Sequence, residues 1–314
     1  VIDRARFLAL SGAAATLAAV PRAARADGPV RAVTLPFDQG AQLYYAQDLG
    51  MFKRAALEVV VSTANYGTQV ASAVAGGAVE IGQSNIMSLA AAIERGLPFA
   101  LIAAGGLYSS TKPTSLMIVE KTSPLKTAKE LSGKTVAVNG LKSITQLSVS
   151  AWADQNGGDS TLIKFVEMPF VEMEPALATG RIDAALMADP DATTALAAGR
   201  TRPFAKAFDA IGKQFLIGGW FAKTDWIAAN ADAVKKFVAV MRESAIWANN
   251  PANYKQSAAI LEKYTKVAVG SANRIAFGDR LDPALIQPNI DVAAKYGLLK
   301  ASFPAAKLIS SAGT

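Results

Sequence analysis

The chain has 314 residues, a formal net charge of +7, and neither histidine nor cysteine. The missing residue types exclude Ser-His-Asp and Cys-His nucleophilic catalysis, zinc sites built on His or Cys, iron–sulfur clusters and disulfides. Carboxylate pairs, Ser-Lys dyads and oxygen-ligand metal sites stay open, while no P-loop, GxSxG or GxGxxG run occurs.

At the N-terminus, Arg4 and Arg6 precede an apolar stretch from Phe7 to Val20 that is short and alanine-rich for a membrane span. Ala24-Arg25-Ala26 offers the small residues a signal peptidase reads, so residues 1–26 are predicted to be an export signal, with Asp27 as the mature start. The alternative is an N-terminal helix. Arg4-Ala5-Arg6-Phe7-Leu8 is similar to a twin-arginine signal, but Ala5 occupies the second arginine's place, leaving the Sec and Tat routes both open. The absence of cysteine excludes a lipid anchor at the cleavage point. This segment carries four arginines against Asp3, a net +3, which leaves +4 of the +7 for the mature chain. Its basic residues are scattered and form no stripe with interleaved aromatics, so no nucleic-acid partner is expected.

Val30 to Leu35 alternates like a strand and ends at Pro36. A helix is predicted from Ala41 to Met51, a strand from Leu57 to Val61, a helix from Gln69 to Ala75 and a strand from Val79 to Gln83. Ser84-Asn85 then caps a helix over Ile86 to Arg95, and Phe99 to Ala104 is a strand. This β-α-β-α-β-α-β order implies a parallel sheet with right-handed crossovers. Gly105-Gly106-Leu107-Tyr108 reads as a crossing into a second lobe. There, Leu131 to Val138 reads as a turn into a strand, further strands are expected at Ile163–Val166 and Ile182–Met187, and helices at Ser143–Asp154 and Met173–Thr179. Phe215 to Ala222, with Gly218-Gly219 inside it, reads as one strand and a return crossing. Helices at Ala231–Trp247 and Tyr254–Tyr264 follow and should pack on the first lobe.

One pattern occurs twice. Ala73-Val74-Ala75-Gly76-Gly77-Ala78-Val79-Glu80-Ile81 and Ala176-Leu177-Ala178-Thr179-Gly180-Arg181-Ile182-Asp183-Ala184 each read as a helix, a glycine, then an acid inside a strand. Gly77 and Gly180 fit the left-handed residue after a helix. The two copies suggest two similar α/β lobes, with a small-molecule site in the cleft between them. The predicted division is signal 1–26, first lobe 27–108, second lobe 109–217, and a return segment 218–314 on the first lobe.

Leu43-Tyr44-Tyr45-Ala46-Gln47-Asp48-Leu49-Gly50-Met51-Phe52, the Gly-x-Val-Glu-Ile-Gly run, Leu131 to Val138, and Ala176 to Ala184 followed by Asp189-Pro190 together carry a resemblance. The chain resembles the periplasmic solute-binding proteins of ABC importers for nitrate, sulfonates, taurine and thiamine-pyrimidine precursors. The resemblance implies a two-lobed α/β fold (the type II periplasmic binding-protein fold), two hinge crossings, and closure around one small ligand. It also implies a periplasmic monomer that docks an ABC permease and needs no cofactor or metal. A similar enzyme branch makes the thiamine pyrimidine with active-site histidine and cysteines, which this chain lacks. A catalytic role is therefore not expected.

In parallel sheets, ligands sit beyond the carboxyl ends of strands. That selects Phe37, Asp38 and Gln39, then Asn65, Tyr66 and Thr68, then Ser84 and Asn85 in the first lobe. In the second lobe it selects Asn139, Ser143, Thr145, Glu172 and Asp189, with Trp220 at the return crossing. Phe37 and Tyr66 would stack on a ring or pack in the core. Ser84, Asn85 and Thr68 would contact ligand or cap helices. Lys142 is the one cation near these loops. Glu80 and Asp183 lie near strand starts and are read as acceptors for nearby backbone donors. Helix starts favour carboxylate, sulfonate or phosphate, and the acids favour donors. The expected ligand is a small organic molecule, with sulfonates, carboxylates and heteroaromatics all open. A carboxylate-dependent hydrolase or lyase and a sensor subunit remain as alternatives.

Overall fold

The computed structural model describes residues 28–313, so the export-signal reading of residues 1–26 lies outside the described residues. The first lobe begins with β1 (Val30–Thr34), α1 (Ala41–Asp48), α2 (Met51–Arg54), β2 (Val59–Thr63), α3 (Gly67–Ala75), β3 (Ile81–Asn85), α4 (Ile86–Glu94) and β4 (Phe99–Ala104). After β5 (Gly106–Ser109), the second lobe contains β6 (Ser115–Glu120), β7 (Thr135–Val138), α5 (Ile144–Gln155), β8 (Lys164–Glu167), α6 (Phe170–Ala178), β9 (Ala184–Ala188), α7 (Asp191–Ala197) and β10 (Thr201–Ala205). The chain continues through β11 (Gln214–Leu216), β12 (Gly218–Lys223), α8 (Thr224–Ala229), α9 (Ala231–Asn249), α10 (Tyr254–Thr265), β13 (Ala276–Phe277) and α11 (Pro283–Lys295).

The two large sheets share one plan. The first has strand order β2-β1-β3-β12-β4 and the second β8-β7-β9-β6-β10. Within each, the first three strands are parallel, and the fourth (β12 or β6) runs antiparallel to both neighbours. The parallel-dominated sheet expected of the first lobe is present, with one antiparallel member: β12 separates β3 from β4. Its direction follows from its route. A strand arriving from the other lobe enters the sheet at the cleft edge, where β3 ends, and must run the opposite way. Phe215 to Ala222 is likewise two strands. β11 pairs antiparallel with β5, which also pairs with β13, in a small sheet between the lobes, whereas β12 joins the first sheet. Glycine is required at the break because a Cβ on Gly218 would lie 2.6 Å from the Ser84 carbonyl oxygen.

Both copies of the repeated pattern form the same structure. Gly77 and Gly180 have φ of 73° and 68°. Paired bonds close each helix: Ala78 N–H to Ala73 O and Gly77 N–H to Val74 O in one, Arg181 N–H to Ala176 O and Gly180 N–H to Leu177 O in the other. This double closure satisfies carbonyls that the helix end leaves free. The acids then tie neighbouring strands. Glu80 Oε2 accepts from Arg31 N–H at 2.7 Å, and Asp183 Oδ2 accepts from Thr135 N–H at 2.8 Å. In return, the Glu80 and Asp183 amides donate to the carbonyls of Arg31 and Thr135. Arg31 and Lys134 add ion pairs.

Elsewhere, local breakers shift boundaries. Gly50, at φ 67°, divides the expected Ala41–Met51 helix into α1 and α2. α6 begins after Pro169, earlier than expected, so Glu172 lies in its first turn. Leu43, Phe52, Trp220 and Phe237 form part of one apolar cluster, with the Phe52 and Phe237 rings stacked at 5.9 Å. Among the described residues, no helix is long and apolar enough to cross a membrane.

Candidate functional site

A cavity of about 420 Å³ opens between the lobes. From the first lobe it is lined by Phe37, Gln39, Tyr66, Thr68, Ser84 and Asn85. From the second it is lined by Asn139, Ser143 and Thr145. These loops converge because each follows a strand of one of two similar sheets, and the sheets face each other by their carboxyl ends. Three helices begin there. Tyr66, Asn85 and Ser143 are the N-cap residues of α3, α4 and α5. The first-turn amides of a helix lack intrahelical acceptors and carry partial positive charge.

Several of these side chains are already engaged. Asn85 Oδ1 accepts from Ser88 N–H at 2.9 Å, the capping role anticipated for it. Thr145 Oγ1 donates to Asn139 Oδ1 at 3.0 Å and meets Ser143 Oγ at 3.1 Å, while Ser143 Oγ donates to Gly140 O at 2.7 Å. Phe37 is buried and packs edge-on against Phe170 of the other lobe at 5.4 Å. Phe37 thus joins the two lobes as well as lining the cavity.

Among the cavity residues that were not anticipated, two are buried polar groups. Gln83 and Ser115 are each 1% exposed and line the cavity. Gln83 Oε1 and Ser115 Oγ have no hydrogen-bond partner among the described residues. A buried polar atom without a partner forfeits its hydration, at a cost of about 1–3 kcal/mol. A ligand able to hydrogen-bond both atoms would recover that cost. Ser115 escaped the sequence reading because no strand was expected at β6. β6 is antiparallel, so its start lies beside the end of β9, with Ser115 paired to Ala188. Gln83 belongs to a strand otherwise read as buried; a glutamine there was the available signal.

The remaining expected contacts lie outside the cavity lining. Trp220 is fully buried, and its Nε1 donates to Gln42 Oε1 at 2.8 Å. Asn65 and Glu172 are exposed. Asp38 is 1% exposed and pairs with buried Arg274, whose guanidinium lies 2.6 Å from Oδ1. Arg274 also donates to the Tyr45 hydroxyl and to Ser257 Oγ. Burial raises the Asp38 carboxyl to about 7; Arg274 opposes the rise and Asp189 adds to it. Asp189 is also buried and raised by its burial, while Oδ1 accepts from Thr193 N–H at 3.0 Å and from Thr193 Oγ1 at 2.7 Å. The Asp38 amide donates to Asp189 O at 3.0 Å, so this cluster also bridges the lobes. Arg274 could not be assigned from sequence, since over 200 residues separate it from Asp38.

The lining contains one acid, Glu167, whose Oε2 accepts from Leu141 N–H at 2.8 Å. Its cations are Lys142, as anticipated, and Arg95, which the fold brings in from the end of α4. No cluster of His, Cys, Asp and Glu suited to a metal occurs among the described residues. The arrangement can hold an accepting or anionic group with hydroxyls, amides and helix N-termini.

A family model described as NMT1/THI5 like matches residues 38–253. No curated protein sequence matches the chain. Among solved structures, the periplasmic aliphatic sulphonate binding protein SsuA from Escherichia coli aligns with a TM-score of 0.72 at 18% identity, covering 90% of this chain and 92% of that one. The periplasmic nitrate-binding protein NrtA from Synechocystis aligns with a TM-score of 0.75 at 13% identity, over 90% and 86% of the two chains. A ligand binding component of an ABC-type import system from Staphylococcus aureus aligns with a TM-score of 0.77 at 16% identity, over 90% and 96%. With this match and this architecture, the chain belongs to the NMT1/THI5-like family and has the two-lobed periplasmic binding-protein fold.

Proposed function

We propose that this protein is the extracytoplasmic solute-binding subunit of an ABC importer and captures a small organic molecule between its lobes. The observation that carries the reading is the pair of buried, unpartnered atoms Gln83 Oε1 and Ser115 Oγ in a cavity where three helices begin. Cavity size supports an organic ligand over a bare inorganic ion. A water occupies about 30 Å³ of liquid, so an ion the size of a few waters would leave most of the 420 Å³ wet. The sheet formed by β11, β5 and β13 is the proposed hinge, with the lobe limits read from the sequence on either side of it. Closure about it would bring Asn139, Ser143 and Thr145 onto a ligand held by Gln83 and Ser84.

A carboxylate-dependent hydrolase is less well supported. Asp38 is committed to Arg274, and Glu172 lies outside the lining, so the acids do not flank a common point in the cavity. In this reading the ligand leaves chemically unchanged, and neither metal nor cofactor is needed. A periplasmic location, a monomeric state and docking to a permease complete the proposal; a sensor subunit would use the same cavity. The test is mass spectrometry of small molecules released from purified protein, followed by a thermal-shift screen with whatever is recovered. Saturable one-to-one binding without turnover is expected. Protein-dependent conversion of the recovered molecule would overturn the reading in favour of an enzyme.

A further inference from the structure

Besides the covalent crossings, one segment of the C-terminal region reaches from lobe to lobe. Residues 266–275 run from α10 to β13 without helix or strand. Lys266, at φ 62°, ends α10 in the left-handed conformation and turns the chain out of the helix. α10 packs on α1, and β13 joins the small sheet between the lobes. Arg274 roots the segment. A buried arginine loses its hydration unless partners replace the water. Arg274 is 3% exposed, and its partners Asp38, Tyr45 and Ser257 belong to the first lobe and the helices packed on it.

The residues before Arg274 touch the second lobe. Asn273 Nδ2 donates to Pro113 O at 3.0 Å and lies 3.4 Å from Asp189 Oδ2. Ala268 O accepts from Thr194 Oγ1 at 3.3 Å. Gly270 lies against α7, where a Cβ on it would be 3.7 Å from Thr193 Cγ2. The segment is therefore rooted in one lobe and laid on a helix of the other. We propose that residues 267–273 form a clasp that fastens the second lobe to the first when the lobes are together and lets go when they part. The assignment rests on the solute-binding reading, in which the second lobe turns about the sheet of β5, β11 and β13. It adds what sets the balance between joined and parted states. A segment fixed to one body loses its contacts to another body that rotates away. The bonds at Asn273 and Ala268 thus count only in the joined state and shift the equilibrium toward it. Each has a modest net worth, so the clasp holds the lobes without locking them.

The test reads lobe separation without any ligand. Phe37 and Phe170 meet across the lobes and are 7% and 6% exposed, so parting of the lobes uncovers both rings. Hydroxyl-radical labelling of the full chain, read by mass spectrometry, reports that exposure. Asn273→Ala removes the bonds to Pro113 and Asp189 and should raise labelling of both rings by about two- to tenfold, the fold-change for one net hydrogen bond. Thr194→Val should act in the same direction more weakly. Thr193→Cys combined with Gly270→Cys supplies the opposite arm. Gly270 is outside the left-handed region, so cysteine is tolerated there, and in a chain without native cysteine only the designed disulfide can form. The disulfide-linked form should show both rings less labelled than wild type. Unchanged labelling in Asn273→Ala and in the linked form would overturn the clasp. A lowered melting temperature in Asn273→Ala with unchanged labelling would make the residue merely structural and would also overturn it. Neither result bears on the recovery of a small molecule from the purified protein, so the solute-binding reading stands or falls separately.

Discussion

Two acids stand where the strands begin, and two stand just past where strands end, and the four do different work. Glu80 and Asp183 occupy equivalent places in the two sheets, with side chains 13% and 37% exposed, and each ties one backbone amide to the next strand. Asp38 and Asp189 follow β1 and β9 and are both buried. Asp38 meets a buried guanidinium, and the backbones of the two acids are bonded across the lobes. The difference shows that burial and partner, more than residue type, set an acid's energetic role. Water screens the first pair and leaves them modest fasteners, whereas removing a partner from the second leaves a desolvated charge.

The sharpest way to break the comparison is to remove one member of the buried pair. Arg274→Met or Asp38→Leu alone should destabilise the fold by about 3–5 kcal/mol at pH 8, measured by urea denaturation. The double variant should recover most of that loss, because two apolar groups leave no orphan charge. Additive losses would mean that the pair is not coupled.

The same pair carries a pH signature. With its carboxyl raised from 3.8 to about 7, folded Asp38 holds a proton that the unfolded chain has already released. Its contribution to stability is therefore full below about pH 4 and falls as pH rises through about 7. Thermal melts of wild type and Asp38→Asn across this window should diverge, with the variant showing the shallower decline. Parallel curves would contradict the raised value.

A smaller effect separates ligand contacts from lobe fasteners. Ser115→Ala should weaken binding of the recovered ligand by about 1.5–3 kcal/mol if the group it meets is charged. Asp189→Ala should instead lower the melting temperature, since Thr193 and Asn273 lose their acceptor. Titration and melting of both variants distinguish the roles, and a reversed pattern would place Asp189 in the binding site.

The smallest effects belong to the strand-start acids. Glu80→Ala and Asp183→Ala should each cost about 0.5–1.5 kcal/mol in urea denaturation, the usual worth of one such hydrogen bond. Similar values would support the equivalence of the two repeats. A loss several-fold larger in one lobe would break it.

Short-range chemistry made much of the fold legible. Gly77 and Gly180 announce left-handed helix ends because a side chain there pays a steric penalty that glycine avoids. Alternation and short β-branched runs mark the strands, and the carboxyl ends of parallel strands with the segments after them include Gln39, Tyr66, Ser84, Asn139, Ser143 and Thr145 of the cavity lining. The absence of histidine and cysteine excluded whole chemistries without any structure. What tertiary structure alone decided involves partners far apart along the chain. β12 enters between β3 and β4, Ser115 reaches the cleft because its strand runs backwards, and Arg274 comes to rest on Asp38. Periodicity reports which face of an element is buried, and each of these outcomes depends on what buries it.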